Sequence, residues 1–177
     1  MEETHEQKSL KRRFHPLPVN VPLSKGVLLV DDRRCTGCMN CMYACTLYND
    51  GVAAPEIARI QLNAYSHHIF DIAAQPCLQC VQPQCLRFCP QGAIRIDEES
   101  GTNARIIVEK KCIGCQECIE VCPFTPPRIR FDSVKKKAIK CNLCGGDPQC
   151  VKACPIGALI YYTNPEGVIS GYGAGGI

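Results

Sequence analysis

The sequence predicts an α+β fold of short strands and short helices, and three observations predict it. Sixteen of the 177 residues are cysteine, about 9% of the chain, which in a short sequence means a disulfide framework or a protein built around metal. Without those cysteines the apolar share falls from 46% to roughly 37%, thin against a usual value of about 45–50%. Whatever the cysteines hold is therefore expected to be part of the core. Short β-branched runs, rather than long amphipathic helices, flank the cysteine groups.

The sixteen fall into four quartets with none left over. Cys35, Cys38, Cys41 and Cys45 read C-x2-C-x2-C-x3-C, and Cys77, Cys80, Cys85 and Cys89 read C-x2-C-x4-C-x3-C-P. Cys112, Cys115, Cys118 and Cys122 return to C-x2-C-x2-C-x3-C-P, and Cys141, Cys144, Cys150 and Cys154 read C-x2-C-x5-C-x3-C-P. The bacterial ferredoxin run has this form, and its fourth cysteine ligates the other cluster of a pair. A short loop with cysteines three apart wraps three corners of an iron–sulfur cube. The cysteine four residues on is carried away to a neighbouring cube. Gly37 and Gly114 lie inside C-x2-C pairs, where a missing Cβ lets backbone N–H groups approach sulfur. Pro90, Pro123 and Pro155 stop any helical continuation, whereas quartet one has Thr46 in that place.

Structural zinc also uses C-x2-C pairs, but it separates two pairs widely instead of packing three ligands into one short loop. Cysteines three apart in tight loops are poorly placed for disulfides with each other. Four 4Fe-4S clusters are the expected cofactors, with all sixteen cysteines as ligands and no open iron for substrate.

The elements follow the quartets in order. Val27–Asp31 before quartet one and Arg105–Glu109 before quartet three are expected strands, as are Gly92–Ile96 after quartet two and Gly157–Tyr161 after quartet four. Pro83-Gln84-Cys85 reappears as Pro148-Gln149-Cys150. Odd quartets resemble each other and so do even ones, so the chain is expected to be two pseudo-duplicated, bacterial-ferredoxin-like modules. Spacing leaves their pairing open: a tandem arrangement (one with two, three with four) and a nested one (two with three, one with four) each unite an odd and an even quartet.

The four-quartet order resembles the four-cluster electron-transfer subunits of molybdenum- and tungsten-pterin oxidoreductases, the group typified by dimethyl sulfoxide reductase and formate dehydrogenase, over about residues 27–162. Cys35-Thr36-Gly37-Cys38 through Asn49-Asp50-Gly51, Ala58-Arg59-Ile60, and Lys140-Cys141-Asn142-Leu143-Cys144-Gly145-Gly146-Asp147-Pro148 are most similar to the small iron–sulfur subunits of tungsten aldehyde oxidoreductases. The resemblance implies nested pairing. Cys35, Cys38, Cys41 and Cys154 would hold cluster 1, and Cys45, Cys141, Cys144 and Cys150 cluster 2. Cys77, Cys80, Cys85 and Cys122 would hold cluster 3, and Cys89, Cys112, Cys115 and Cys118 cluster 4. It implies an outer half of residues 27–76 and 123–162 around an inner half of 77–122, with the clusters strung out as a wire.

The implied function is one-electron transfer by a subunit that is not catalytic alone. Electrons would pass between a large pterin-containing subunit, in the closest resemblance an aldehyde oxidoreductase, and a flavin subunit or ferredoxin. Tungsten- or molybdenum-pterin and FAD are expected only in those partners, and copies of the wire could stack on themselves. The alternatives are a free soluble polyferredoxin and the electron-transfer subunit of a hydrogenase or formate dehydrogenase complex.

The remaining features add little chemistry. The charged, proline-rich arm 1–26 and the Gly-rich tail 163–177 carry no core pattern and are expected to lie along partner subunits. Lys11-Arg12-Arg13-Phe14 is followed by a proline-broken stretch, so no export signal, no membrane span and a cytoplasmic location are expected. Gly171-Tyr172-Gly173 opens no helix and so is no dinucleotide loop. Lys135-Lys136-Lys137 is expected to be a solvated hairpin or partner contact rather than a nucleic-acid contact, and His67-His68 a surface or partner-facing loop. Arg34, Lys111 and Lys140 each precede the first cysteine of a quartet, where a cation either raises a cluster potential or merely faces solvent. The formal charge of +3 counts every cysteine as neutral. Sixteen thiolates outweigh four oxidised cores and turn the balance acidic.

Overall fold

The computed structural model describes residues 21–64 and 72–167. Residues 1–20, the His67-His68 pair and the tail from 168 onward lie outside the described residues. Among those described, every strand is three to five residues long and every sheet is a two-stranded antiparallel ladder. β1 (Gly26–Val30) pairs with β8 (Leu159–Thr163), Val30 facing Leu159 and Gly26 facing Thr163. Three local hairpins lie between: β2 (Gln61–Ala64) with β3 (Ile72–Gln75), β4 (Ile94–Asp97) with β5 (Ala104–Ile107), and β6 (Arg130–Asp132) with β7 (Lys137–Ile139). The four strand expectations hold. The hairpin β2–β3 had no clear alternation in its sequence.

The helices follow the prolines. Helix α2 (Gln84–Arg87), α3 (Glu117–Glu120) and α4 (Gln149–Lys152) are single turns that end before Cys89-Pro90, Cys122-Pro123 and Cys154-Pro155. Proline cannot donate the hydrogen bond that the next turn requires. Helix α1 (Asn40–Asp50) has Thr46 there and runs on for eleven residues. Thr46 is wholly buried; its hydroxyl donates to the Tyr43 carbonyl and accepts from the Ala54 N–H. Gly51 ends this helix at φ 70°, its N–H returning to the Leu47 carbonyl, a left-handed cap that glycine adopts without steric cost.

Sulfur is a large part of the interior. One buried group joins Leu28, Ala58, Ile60, Leu143 and Leu159 to Cys41, Cys45, Cys77, Cys141 and Cys150. A smaller one joins Ala93, Ile94, Ile129 and Ala138 to Cys89 and Cys118. No helix among the described residues is long and apolar enough to cross a membrane.

Lys135–Lys137 do form the end of a hairpin, but two of the three are engaged. Lys135 pairs with Asp50 at 3.1 Å, and Lys137 Nζ donates to the Cys112 carbonyl. The cations before the quartets divide: Arg34 and Lys111 are exposed, whereas Lys140 is buried.

Candidate metal centres

The first C-x2-C pair of each quartet is bent by the same device. The residue just before its second cysteine has positive φ in all four: Gly37 at 70°, Gln79 at 51°, Gly114 at 74° and Leu143 at 55°. A left-handed residue there curls the loop so that its cysteines turn to one side. Glycine takes that conformation freely, and a Cβ on Gly114 would run into the Lys136 carbonyl. Gln79 and Leu143 are almost wholly buried, so surrounding contacts hold them in a backbone state that costs about 1–2 kcal/mol for a side chain with Cβ.

The loops surround voids. One cavity of about 20 Å³ is lined by Cys35, Cys38, Cys41 and Cys154, and roofed by Leu62 and Ala74 of the β2–β3 hairpin. A second, of the same size, is lined by Cys77, Cys80, Cys85 and Cys122 with Arg105, Arg128 and Lys140. A third is lined by Cys89, Cys112, Cys115 and Cys118 among Ala93, Ile94, Ile107 and Ala138. Of the remaining four cysteines, Cys45, Cys141 and Cys150 are buried and Cys144 is half-buried. Burial, and then the thiolates of Cys141, Cys45 and Cys144, push the Cys150 thiol up.

The fourth cysteine of every quartet accepts a backbone N–H. Ala93 donates to Cys89 Sγ and Ala158 to Cys154 Sγ, each at 3.2 Å. Both follow the pattern Cys-Pro-x-Gly-Ala, with Gly92 at φ 54° and Gly157 at φ 61° turning the amide back on the sulfur. Cys122 Sγ accepts from Arg128 N at 3.3 Å and Cys45 Sγ from Arg59 N at 3.4 Å. Such bonds favour the thiolate. At Cys154 burial is outweighed by the N–H groups of Leu159 and Ala158, which hold the thiol below its usual value.

Most other thiols go the opposite way. Burial, then the neighbouring thiolates of Cys35 and Cys38, push Cys41 up to about 12. Burial likewise pushes Cys85, Cys118 and Cys141 up to about 12 and Cys80 to about 11. Thiolates crowded in a dry cavity repel each other unless a cation sits among them, so loading with iron is coupled to proton release and to folding. All-thiolate donor sets in apolar cavities fit iron–sulfur clusters. Among the described residues no three Cys, His, Asp or Glu side chains converge tightly enough to share one metal ion.

Lys140 Nζ is 2.9 Å from Cys77 Sγ, 2.6 Å from the Arg105 carbonyl and 3.5 Å from Gln79 Oε1. It therefore reaches a cysteine of a different quartet from the one it precedes. Burial acts to lower its pKa, but the thiolates of Cys77 and Cys85 outweigh it and hold the ammonium above its ordinary value. In the sequence Arg105 reads only as the first residue of a strand, and Gln79 only as a loop residue of quartet two. Their signals were a charge opening an apolar strand, and glutamine where the odd quartets have glycine.

Short strands, single-turn helices and cysteine-lined cavities define an iron–sulfur-cluster protein with ferredoxin-like domains. Residues 69–164 match the family model described as 4Fe-4S dicluster domain, and residues 33–49 one described as 4Fe-4S binding domain. The chain belongs to the 4Fe-4S dicluster domain family. It is 36% identical over 129 residues to the aliphatic sulfonate oxidoreductase, polyferredoxin-like subunit, of Pyrococcus furiosus, covering 72% of this chain and 70% of that one. It is 37% identical over 158 residues to the NrfC homolog of Haemophilus influenzae, covering 81% and 68%. It is 36% identical over 152 residues to the thiosulfate reductase electron transfer subunit PhsB of Salmonella typhi, covering 75% and 73%.

Proposed function

We propose that the chain is the electron-transfer subunit of an oxidoreductase complex, carrying electrons one at a time through four 4Fe-4S clusters held in the nested sets. The cysteine linings of the three cavities carry this reading, since each joins three cysteines of one quartet to one of another in the nested order. The pairing of β1 with β8 and the fourfold left-handed turn support an outer half of 27–76 and 123–162 around an inner half of 77–122, built by pseudo-duplication. The arm 1–26 and the tail 163–177 would contact partners.

A bound 4Fe-4S cluster takes up and releases a single electron at a potential set by burial, charge and hydrogen bonds to sulfur. The residues of this chain set those three conditions. Leu62, Ala74, Ile107 and Phe124 line the cavities with apolar surface and exclude water. The amides of Arg59, Ala93, Arg128 and Ala158 donate to sulfur. With every cysteine assigned as a ligand, no iron is open to substrate, and catalysis belongs to the partner.

The relatives named as subunits of an aliphatic sulfonate oxidoreductase and a thiosulfate reductase support an oxidoreductase as that partner. A pterin subunit holding tungsten or molybdenum, of the aldehyde oxidoreductase type, rests on the motif resemblance, as does a flavin subunit or ferredoxin as acceptor. Anaerobic purification of the chain from its source tests this directly. The proposal expects a copurifying large subunit with tungsten or molybdenum, and about sixteen irons on this chain, four per quartet. Isolation as a monomer without a large subunit would sink the subunit role.

A further inference from the structure

The three cysteine-lined cavities differ in charge. Those around the Cys35 and Cys89 sets have no charged residue in their linings. The cavity of Cys77, Cys80, Cys85 and Cys122 is lined by three cations, Arg105, Arg128 and Lys140.

Each of the three is built in. Arg105 is the largest wholly buried side chain among the described residues, at 0% exposed. Its Nη1 donates to the Asn103 carbonyl at 2.8 Å, while Nε and Nη2, also buried, have no hydrogen-bond partner. Two orphaned donors of a guanidinium beside four cysteines are placed for an anionic occupant, since leaving them unpaired is costly. Arg128 repeats the pattern: Nε and Nη1 are buried without a partner, its guanidinium lies 5.6 Å from the Phe124 ring centroid, and its backbone N–H donates to Cys122 Sγ. Lys140 is 4% exposed, and its three N–H bonds meet three acceptors, Cys77 Sγ, the Arg105 carbonyl and Gln79 Oε1.

We infer that Lys140, Arg105 and Arg128 make the cluster held by Cys77, Cys80, Cys85 and Cys122 the first in this chain to be reduced, so that it is the resting place of an electron on the wire. This rests on reading that cavity as a cluster site. Adding one electron takes the core from 2+ to 1+, and the four-thiolate cluster becomes more negative by one charge. In a dry, low-dielectric cavity three adjacent cations favour the more negative form. The uncharged cavities offer no such preference, and at the Cys45, Cys141, Cys144 and Cys150 set the charge of nearby Arg59 is offset by Asp50 at 2.6 Å. Lys140 also continues directly into Cys141, so the electron rests where the Cys77 set adjoins a cysteine of another quartet. All three are positioning residues: Lys140 acts through Cys77 Sγ, and the guanidinium groups of Arg105 and Arg128 act by their charge at the cavity wall.

An EPR-monitored redox titration of the full, anaerobically purified chain, with dithionite as electron donor and iron measured on every sample, tests this. In the wild type one cluster signal is expected to develop ahead of the rest. Lys140→Met and Arg128→Gln should each move that signal to lower potential with iron retained. Lys140→Arg should keep its place, and exposed Lys111→Met should move nothing. Where Lys140→Met loses iron, Arg128→Gln alone decides. An unchanged titration in the iron-replete variants, or a shift confined to a later signal, overturns the inference. A wild type short of about sixteen irons overturns the cluster reading itself, and the inference with it, before any variant is made.

Discussion

Lys140 donates to Cys77 Sγ across 2.9 Å although 63 residues separate them in sequence. Its own backbone leads straight into Cys141, so one buried side chain ties quartet two to quartet four. Gln79 reinforces the tie from the other direction. Its Oε1 accepts from Arg105 N at 2.7 Å and its Nε2 donates to the Cys141 carbonyl at 3.0 Å.

Gln79 is therefore expected to invert a familiar ranking. Gln79→Ala keeps the left-handed backbone, orphans the Arg105 N–H and the Cys141 carbonyl at about 1–3 kcal/mol each, and takes one of three acceptors from Lys140. Gln79→Gly loses the same bonds but relieves roughly 1–2 kcal/mol of backbone strain. Denaturant unfolding of the iron-loaded chain should rank wild type above Gln79→Gly, and Gln79→Gly above Gln79→Ala. Alanine more stable than glycine would mean that the φ of 51° is not strained.

Two glycines share a φ near 70° but differ in surroundings. A Cβ on Gly51 meets nothing within 4 Å, whereas one on Gly114 collides with the Lys136 carbonyl. Gly51→Ala should cost about 1–2 kcal/mol and keep full iron. Gly114→Ala should displace the Cys112–Cys115 loop and lose about four irons per chain. Iron analysis of the two proteins decides, and equal retention would contradict the proposed role of Gly114.

Thr46 occupies the place that proline takes after the other three quartets. Thr46→Pro would remove a helical donor in the middle of α1 and is expected to cost about 3 kcal/mol or more. Circular dichroism should report the lost turns as well as the lower melting point. A variant that melts like wild type would show that α1 does not depend on Thr46.

Asp50, whose side chain is 6% exposed, anchors the end of α1 to Arg59 at 2.6 Å and to Lys135 at 3.1 Å. Burial pushes its carboxyl up, but hydrogen bonds from Arg59 and Lys135 outweigh it and hold the pKa below the usual carboxylate value. A depressed folded pKa contributes stability that is fully present above the unfolded value of about 3.9 and is lost as pH falls through the folded one. The advantage of wild type over Asp50→Asn should therefore stay constant from about pH 8 to pH 5. A decline within that window, followed by thermal unfolding, would assign the effect to another group.

The cysteine spacing made the candidate ligands legible, and the prolines made the helix ends legible, because both act within a few residues. Strands β1, β4, β5 and β8 were visible for the same reason: Val27-Leu28 and Ile106-Ile107 are local apolar runs. The electrostatics were not. Arg34, Lys111 and Lys140 occupy equivalent sequence positions, yet only Lys140 turns inward, because Cys77, Gln79 and Arg105 converge there from distant segments. Arg105 shows in sequence only as a charge opening an apolar strand, which does not tell burial from exposure. Burial of a charge is decided by what the fold places around it.

The proposed nested ligand sets are tested most directly at Cys122. It follows Cys112, Cys115 and Cys118 in sequence but lines the cavity of Cys77, Cys80 and Cys85. Cys122→Ser, Cys80→Ser and Cys112→Ser can be compared by EPR-monitored redox titration. Nested ligation predicts that Cys122→Ser and Cys80→Ser alter the same cluster signal and that Cys112→Ser alters a different one. If Cys122→Ser and Cys112→Ser alter one signal between them, quartet three closes on itself and the proposed wire is wrong.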